Sequence, residues 1–242
     1  MARQIANFLG YELRELSRLD GLDTIPVSLR RYFAGHSVDL LVDCGAFVGN
    51  FARSCRKAGY LGEILSLELA AAQYAKLKAS AAGDAKWDVR QVGAGASRQS
   101  VRLNIFPHGV FNSIHTADTT LFDLKSGHSE QIEIYRLDEL LCSFADARNI
   151  FLKTDTQGND LAVLQGLGTR LADVQTILVE MSVQQIYQNT PSHWQMLDFV
   201  RSEGFEPYTF SPVSRDPKGA LIEYDALFRR APVAGELNKF PG

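Results

Sequence analysis

Val38-Asp39-Leu40-Leu41-Val42-Asp43-Cys44-Gly45-Ala46-Phe47-Val48-Gly49-Asn50 decides the fold of this chain. An apolar run ends on an acid, a turn rich in small residues follows, and a helical pattern begins. A parallel strand hands its carboxyl end to a small-molecule site in this way. Gly45 and Gly49 predict a turn kept open, so that a ligand approaches backbone rather than side chains. A dinucleotide fingerprint needs G-x-G-x-x-G, whereas this turn reads Asp-x-Gly-x-x-x-Gly. It suits a ligand without a pyrophosphate better than NAD, which weighs against a nucleotide-binding oxidoreductase.

Outward from that run the pattern repeats. Strands are predicted at 38–43, 63–68, 87–93, 100–106, 130–135, 149–155 and 175–181. Helices are predicted at about 48–58, 70–81 and 159–167, and from Pro191, which opens a helix, to about 203, where Gly204 stops it. Leu137 to Phe144 reads as a short helix. Two closing strands, about 205–211 and 219–229, have no helix between them and return as an antiparallel pair at one sheet edge. The whole predicts a doubly wound α/β sheet, mostly parallel with an antiparallel edge strand and helices on both faces. Ligands of such sheets bind outside the strand carboxyl ends, where Asp43, Glu68 and Asp155 would converge. Residues 107–128 are polar and aperiodic, and a loop of that length is usually functional or mobile.

The predicted organisation is an N-terminal helical extension over 1–36, one main domain over 37–230 and a tail over 231–242. In the extension, Ile5, Phe8, Leu9, Leu13 and Leu16 fall at helical spacing, which fits core packing, a cap over the site or a homodimer contact. A second short helix is expected over 27–34. The 242 residues are 45% hydrophobic and 22% charged, with a net charge of −3. That balance suits a globular domain and gives no excess of Lys and Arg for a nucleic-acid partner. Cys44, Cys55 and Cys142 lack C-x-x-C spacing, which argues against a disulfide framework or a zinc site. The first residues lack the apolar core of a signal peptide, and no apolar run has the length of a membrane span. A reducing, cytoplasmic setting is the default expectation.

Several residues have the right chemistry for a site. An acid at Glu68, closing the second strand, accepts hydrogen bonds from ribose hydroxyls in nucleoside-binding folds. A solvated strand-end acid is the plain alternative. Gly93-Ala94-Gly95 leaves a flat slot for a purine, or forms an ordinary tight turn. Lys153 shares side-chain parity with Asp155 and either pairs with it or orients another acid. Histidine has the intrinsic pKa for a proton shuttle, and His115, within Asn112-Ser113-Ile114-His115-Thr116, is the one to test first. His108 and His128 flank that loop. Asp155 and Glu180 end successive predicted strands, and two carboxylates with substrate oxygens would suit Mg²⁺. Trp194, Phe111, Tyr187 and Tyr208 offer either a sugar-stacking face or core packing.

The chain resembles the FkbM family of S-adenosylmethionine-dependent O-methyltransferases. The resemblance is carried by Val42-Asp43-Cys44-Gly45-Ala46-Phe47-Val48-Gly49, by Leu67-Glu68, and by Phe151-Leu152-Lys153-Thr154-Asp155-Thr156-Gln157-Gly158-Asn159-Asp160 with Leu164 and Gly166. Val179-Glu180 with Tyr187, and Asp225-Ala226-Leu227-Phe228, complete it over roughly residues 38–230. The Asp-Gly turn is generic to methyltransferases; the Lys-x-Asp-x-x-Gly stretch is more specific. The resemblance implies a Rossmann-like class I methyltransferase sheet. It implies that Asp43, Gly45 and Gly49 hold the amino-acid end of S-adenosylmethionine and that Glu68 holds its ribose; Ala46 and Phe47 of the same turn, and Gly93 and Ala94 of the purine slot, complete the expected cofactor site. It further implies an acceptor hydroxyl on a secondary metabolite or on a sugar of a glycan or glycolipid. Asp155 is then the expected base, with Lys153 and His115 as partners or rivals, and Glu180, Asn112 and Tyr187 face the acceptor. Phe47 stands where the family often has Asn, Leu69 where it often has Pro, and Asp160 where it prefers Glu.

Overall fold

Leu40, Val42 and Cys44 belong to one apolar cluster and Leu41 to another. The same split recurs between Leu65 and Ile64, and between Leu152 and Phe151. These strands are buried on both faces, which is why they read as unbroken apolar runs rather than as alternating ones. The computed structural model describes residues 25–107, 109–118 and 127–232. The predicted helix at 4–19, the homodimer contact assigned to it, His108 and most of the tail lie outside those residues.

The elements run α1 (Ile25–Gly35), β1 (Leu40–Cys44), α2 (Asn50–Lys57), β2 (Glu63–Leu67), α3 (Ala71–Ala81), β3 (Trp87–Arg90), β4 (Gly93–Gly95), β5 (Gln99–Ile105) and β6 (His128–Arg136). They continue with α4 (Leu137–Leu140), β7 (Ile150–Thr154), α5 (Asp160–Gln165), β8 (Val174–Ser182), α6 (His193–Ser202), β9 (Phe205–Arg215) and β10 (Leu221–Arg230). A seven-stranded sheet takes the order β3-β2-β1-β7-β8-β10-β9. β10 runs antiparallel to both β8 and β9, and the other pairings are parallel. This is the doubly wound, Rossmann-like sheet expected, with β9 outermost at the antiparallel end.

The structure departs from the predicted elements in several places, and β5 and β6 lie in a second, three-stranded sheet with β4. The strand expected over 87–93 stops at Arg90, and Gly93–Gly95 forms a separate buried strand that pairs with β6 in a three-stranded sheet. Gly93-Ala94-Gly95 is therefore a strand and not a tight turn, and Gly93 and Ala94 reach the main cavity. Pro191 precedes α6 without opening it. Ser192 caps that helix in a reciprocal box with Gln195, which satisfies the free N–H groups of the first turn.

Helix α1 is part of the packed body. Leu29 and Tyr32 are buried in the same cluster as Leu41 and Phe151, and the Tyr32 hydroxyl meets Thr176 of β8. No helix among the described residues is long and apolar enough to cross a membrane.

Candidate active site

Register brings the acids together. Cys44 pairs with both Leu67 and Thr154, Thr154 pairs with Val179, and Glu180 pairs with Asp225. One step further along, Glu68, Gly45, Asp155, Glu180 and Asp225 form a row across five neighbouring strands. Side-chain alternation puts this row on the face that carries Ile64, Phe151, Leu178 and Leu227. All five residues line an open cavity of about 440 Å³ at the carboxyl edge of the sheet. That size is typical of a small-molecule or cofactor site.

Glycine in the middle of the row is required by packing. A Cβ at Gly45 would lie 1.9 Å from the Asp155 carbonyl oxygen, and Gly45 has φ +76°. Gly49, at φ +83°, would press a Cβ against Trp87. The open turn expected for ligand approach is thus a different thing: each glycine makes room for protein. Gly45, Ala46 and Phe47 remain on the cavity wall, whereas Gly49 is buried and absent from it.

Asp43 also leaves the set of residues able to touch a ligand in this cavity. It is fully buried and faces Lys153, whose Nζ lies 3.1 Å from Asp43 Oδ1 as an ion pair without hydrogen-bond alignment. Lys153 Nζ also donates to the Gly45 carbonyl at 2.9 Å and lies 3.5 Å from Asp155 Oδ2. Burial opposes the lysine's charge, yet the attraction of Asp43 and Asp155 outweighs it and holds the ammonium protonated. Burial pushes Asp43 upward, with Lys153 pulling the other way. Lys153 is a clamp between strand and turn, with its charge already engaged.

On the left of the row, Glu68 accepts from the Phe47 N–H at 2.7 Å and from the Ala70 N–H at 2.9 Å. Phe47 sits at φ +51°, uncommon for a residue with a side chain. The carboxylate holds the turn in that conformation. Burial raises the Glu68 pKa to about 7 despite these bonds. Leu69, Val92, Gly93, Ala94, Leu103 and Ile134 make the wall beside it apolar.

On the right, Gln157 Nε2 donates to Asp155 Oδ1 at 3.1 Å and to Glu180 Oε2 at 3.0 Å. Burial, followed by repulsion from Asp155, Glu223 and Asp225, pushes Glu180 up to about 10. These influences favour its neutral form, which can donate a hydrogen bond. Asp225 is raised to about 6, first by burial and then by Asp155. Among the described residues no group of three or more His, Cys, Asp or Glu side chains is arranged to hold a metal ion.

Several expected site residues stand elsewhere. In the loop after β5, Asn112 and Ile114 face the cavity, while Ser113 and His115 point the other way, as alternation demands. Ser113 Oγ donates to the Gln157 carbonyl at 2.6 Å. His115 lies against Gly158, off the cavity wall, and burial lowers its pKa. It is not placed to meet an acceptor there. Tyr187 is buried behind Gln157, where its hydroxyl donates to Gln157 Oε1 at 2.7 Å. It too is off the main cavity. Asn112 lines the cavity: its Oδ1 accepts from the Phe106 N–H, and its Nδ2 has no hydrogen-bond partner among the described residues. The proposed stacking face does not assemble, because Trp194 is 67% exposed on α6 while Tyr208 packs edge-on to Tyr32.

Sequence reasoning missed Gln157 and Asp225 as site residues. Asp225 was findable in principle, since it alternates with the buried Leu227, but only with the β8–β10 register in hand. Gln157 gave no signal beyond its place between Asp155 and Gly158.

Residues 43–207 match the methyltransferase FkbM domain family. A search of curated proteins finds no match. Among solved structures, the methyltransferase FkbM of Methylobacillus flagellatus KT is 16% identical with a TM-score of 0.51 over 88% of this chain and 50% of that one, a likeness of fold. The present chain spans about half the length of that protein. Magnesium protoporphyrin IX methyltransferase of Synechocystis PCC 6803, with bound SAM, is 9% identical with a TM-score of 0.49 over 89% of this chain and 81% of that one. Aeropyrum pernix fibrillarin, with S-adenosyl-L-methionine natively bound, is 14% identical with a TM-score of 0.48 over 88% and 72%.

Proposed function

This chain belongs to the FkbM methyltransferase family, and from that premise we propose that it methylates a hydroxyl oxygen, on a sugar of a glycan or glycolipid or on a secondary metabolite, with S-adenosylmethionine as donor. The observation that carries this reading is the cavity itself. Its left wall has a buried carboxylate, Glu68, beside apolar residues, and its right wall has Asp155, Glu180 and Asp225. The left wall fits a nucleoside. Glu68 has lone pairs left to accept from ribose hydroxyls, and Leu69, Gly93, Ala94 and Ile134 fit a flat base. Backbone of Gly45, Ala46 and Phe47 lies next to them for the amino-acid end, with Asp43 and Lys153 fixing that backbone from below.

S-adenosylmethionine bound there supplies a methyl group on a sulfonium, which leaves as a neutral thioether when the C–O bond forms. Its positive charge is lost in the reaction, so negative charge beside it favours the ground state and slows transfer. Asp155 stands across Gly45 from Glu68, on the acceptor side. Its carboxylate accepts the hydroxyl proton as the oxygen attacks. Glu180, protonated, and the free Nδ2 of Asn112 donate hydrogen bonds that orient the acceptor. Alignment of this kind supplies the larger share of rate, up to about 7–11 kcal/mol in the best cases, and a base adds roughly 10²–10⁴-fold. The setting we propose is the reducing cytoplasm, in keeping with three cysteines present as free thiols.

The test is Asp155→Asn. Calorimetry with S-adenosylhomocysteine should give the same affinity as the parent protein, and methyl transfer to a panel of methyl glycosides should fall by roughly 10²–10⁴-fold. Normal turnover removes Asp155 as the base. Absence of binding heat with S-adenosylhomocysteine in the parent protein ends the proposal as a whole, and heat with NAD instead would point to the oxidoreductase.

A further inference from the structure

Gln157 joins groups from several separate segments of the site. Its Nε2 reaches two carboxyls on different strands, Asp155 Oδ1 at 3.1 Å and Glu180 Oε2 at 3.0 Å. Its Oε1 accepts from the Tyr187 hydroxyl at 2.7 Å, and its carbonyl accepts from Ser113 Oγ at 2.6 Å. The Tyr187 hydroxyl also lies 3.1 Å from the Phe111 carbonyl. The amide orientation follows from these partners, since a carboxylate needs a donor opposite it and the tyrosine hydroxyl needs an acceptor. Gln157 adopts φ +54°, a left-handed conformation uncommon for a side-chain-bearing residue. Such a conformation persists where surrounding contacts fix it, and it is often found at functional positions.

Asp155 is otherwise loosely held. It lies one residue past the end of β7, and among the described residues its Oδ2 has only the 3.5 Å approach of Lys153, whose ammonium is committed to Asp43 and to the Gly45 carbonyl. The titratable groups that face it are Lys153 from its own strand, Asp43 from β1, Asp160 from α5, Glu180 from β8, Tyr187 from the segment after β8, and Asp225 with Glu223 from β10. Acids crowd it from several sides, and protonation of Glu180 removes only that residue's share of the repulsion. The amide of Gln157 is the donor that holds the Asp155 carboxylate beside Glu180 against that repulsion.

We propose that Gln157 is a positioning residue for methyl transfer: its amide ties Asp155 to Glu180, and its Oε1 and carbonyl lock that pair to Tyr187 and to the loop bearing Asn112. This rests on the proposed role of Asp155 as base. The geometry of the acceptor side is then set by one side chain that need not touch the acceptor's reacting oxygen. The loop that contributes Asn112 and the strand end that contributes Asp155 are held in mutual register through it.

The test uses Gln157→Met, which keeps the length and loses both polar ends, and Tyr187→Phe, which removes only the outer support. Methyl transfer to a panel of methyl glycosides should fall about tenfold in kcat for Gln157→Met and by less for Tyr187→Phe, with KM and the affinity for S-adenosylhomocysteine within about twofold of the parent. A crystal structure of Gln157→Met should show the Asp155 carboxylate turned away from Glu180. An Asp155 carboxylate left in place, or an unchanged kcat, in a folded Gln157→Met protein overturns the proposal. No S-adenosylhomocysteine binding by the parent protein sinks the methyl-transfer reading, and a displaced Asp155 in Gln157→Met then leaves the positioning contact standing. If Gln157→Met does not fold, Tyr187→Phe decides: a kcat and an Asp155 position both unchanged from the parent overturn the proposal.

Discussion

Two strand-to-helix turns sit side by side at the carboxyl edge, and they are closed by opposite means. The turn after β1, residues 45–49, is held from outside. Glu68 of the neighbouring β2 connection binds the Phe47 N–H, and Lys153 of β7 binds the Gly45 carbonyl and the Asp43 carboxylate. The turn after β7, residues 155–159, is held from within. Asp160 Oδ1 accepts from Thr154 Oγ1 at 2.7 Å, and from the Thr156 N–H and hydroxyl at 2.9 Å each. The first turn is a product of the assembled sheet; the second carries its own lock. A donor-side cradle that depends on three strands is rigid once the sheet has formed, whereas the second turn closes locally and is then tied to its surroundings through one residue, Gln157, by way of Glu180, Tyr187 and Ser113.

The largest break in that contrast comes from Lys153→Met. It leaves the Asp43 carboxylate buried with no opposing charge and frees the Gly45 carbonyl. Removing one member of a buried ion pair costs about 3–5 kcal/mol. Urea unfolding should show a loss in that range, and Asp43→Asn in the same chain should restore part of it, because the uncompensated charge is then gone. A loss below about 1 kcal/mol would mean that the first turn does not lean on the clamp.

Asp160→Ala attacks the second turn. Two hydroxyls and one N–H lose their common acceptor, and the expected cost is about 2 kcal/mol. The sharper readout is locality. Hydrogen exchange should quicken over residues 155–160, while S-adenosylhomocysteine affinity stays within about twofold of the parent, since the first turn does not rely on Asp160. Equal loosening of both turns would erase the distinction between them.

The contrast also explains what was legible in the sequence. The apolar runs ending on Asp43, Glu68 and Asp155 showed a parallel sheet with acids at its carboxyl edge, because strand parity and β-propensity are local properties. Asp160, which stands where the family prefers Glu, works within six residues of its own position, on Thr154 and Thr156, again locally. What escaped was everything set by register between distant segments. Asp43 looked like a ligand contact because its pairing with Lys153 requires β1 to lie beside β7. Gly45 looked like room for a ligand because the Asp155 carbonyl that fills that room comes from more than a hundred residues away. His115 and Gln157 exchanged importance for the same reason, since the face that each presents is set by a bridge between Asn104 and Ser113 and by Tyr187.

Glu68 gives the smallest and most specific test of the first turn. Its pKa is raised from 4.5 to about 7, chiefly by burial. The folded chain therefore binds more protons than the unfolded one between those values. Stability owed to this group is fully present below about pH 4.5 and is lost as pH rises through about 7. Ligand affinity should run the other way. Ribose hydroxyls donate, so they favour the ionised carboxylate, and S-adenosylhomocysteine binding should strengthen as pH rises from about 6 to 8, by no more than about tenfold. Calorimetry across that range, repeated on Glu68→Gln, isolates the group, because the substitution cannot ionise while Asp225 and the ligand's own groups still titrate. The variant should bind more weakly at pH 8, with a flatter profile. It also turns an amide N–H toward the Phe47 or Ala70 N–H, so a modest loss of thermal stability should accompany it. Parallel slopes in parent and variant would take the ribose away from Glu68 and leave that carboxylate with one task, holding Phe47 in its left-handed turn.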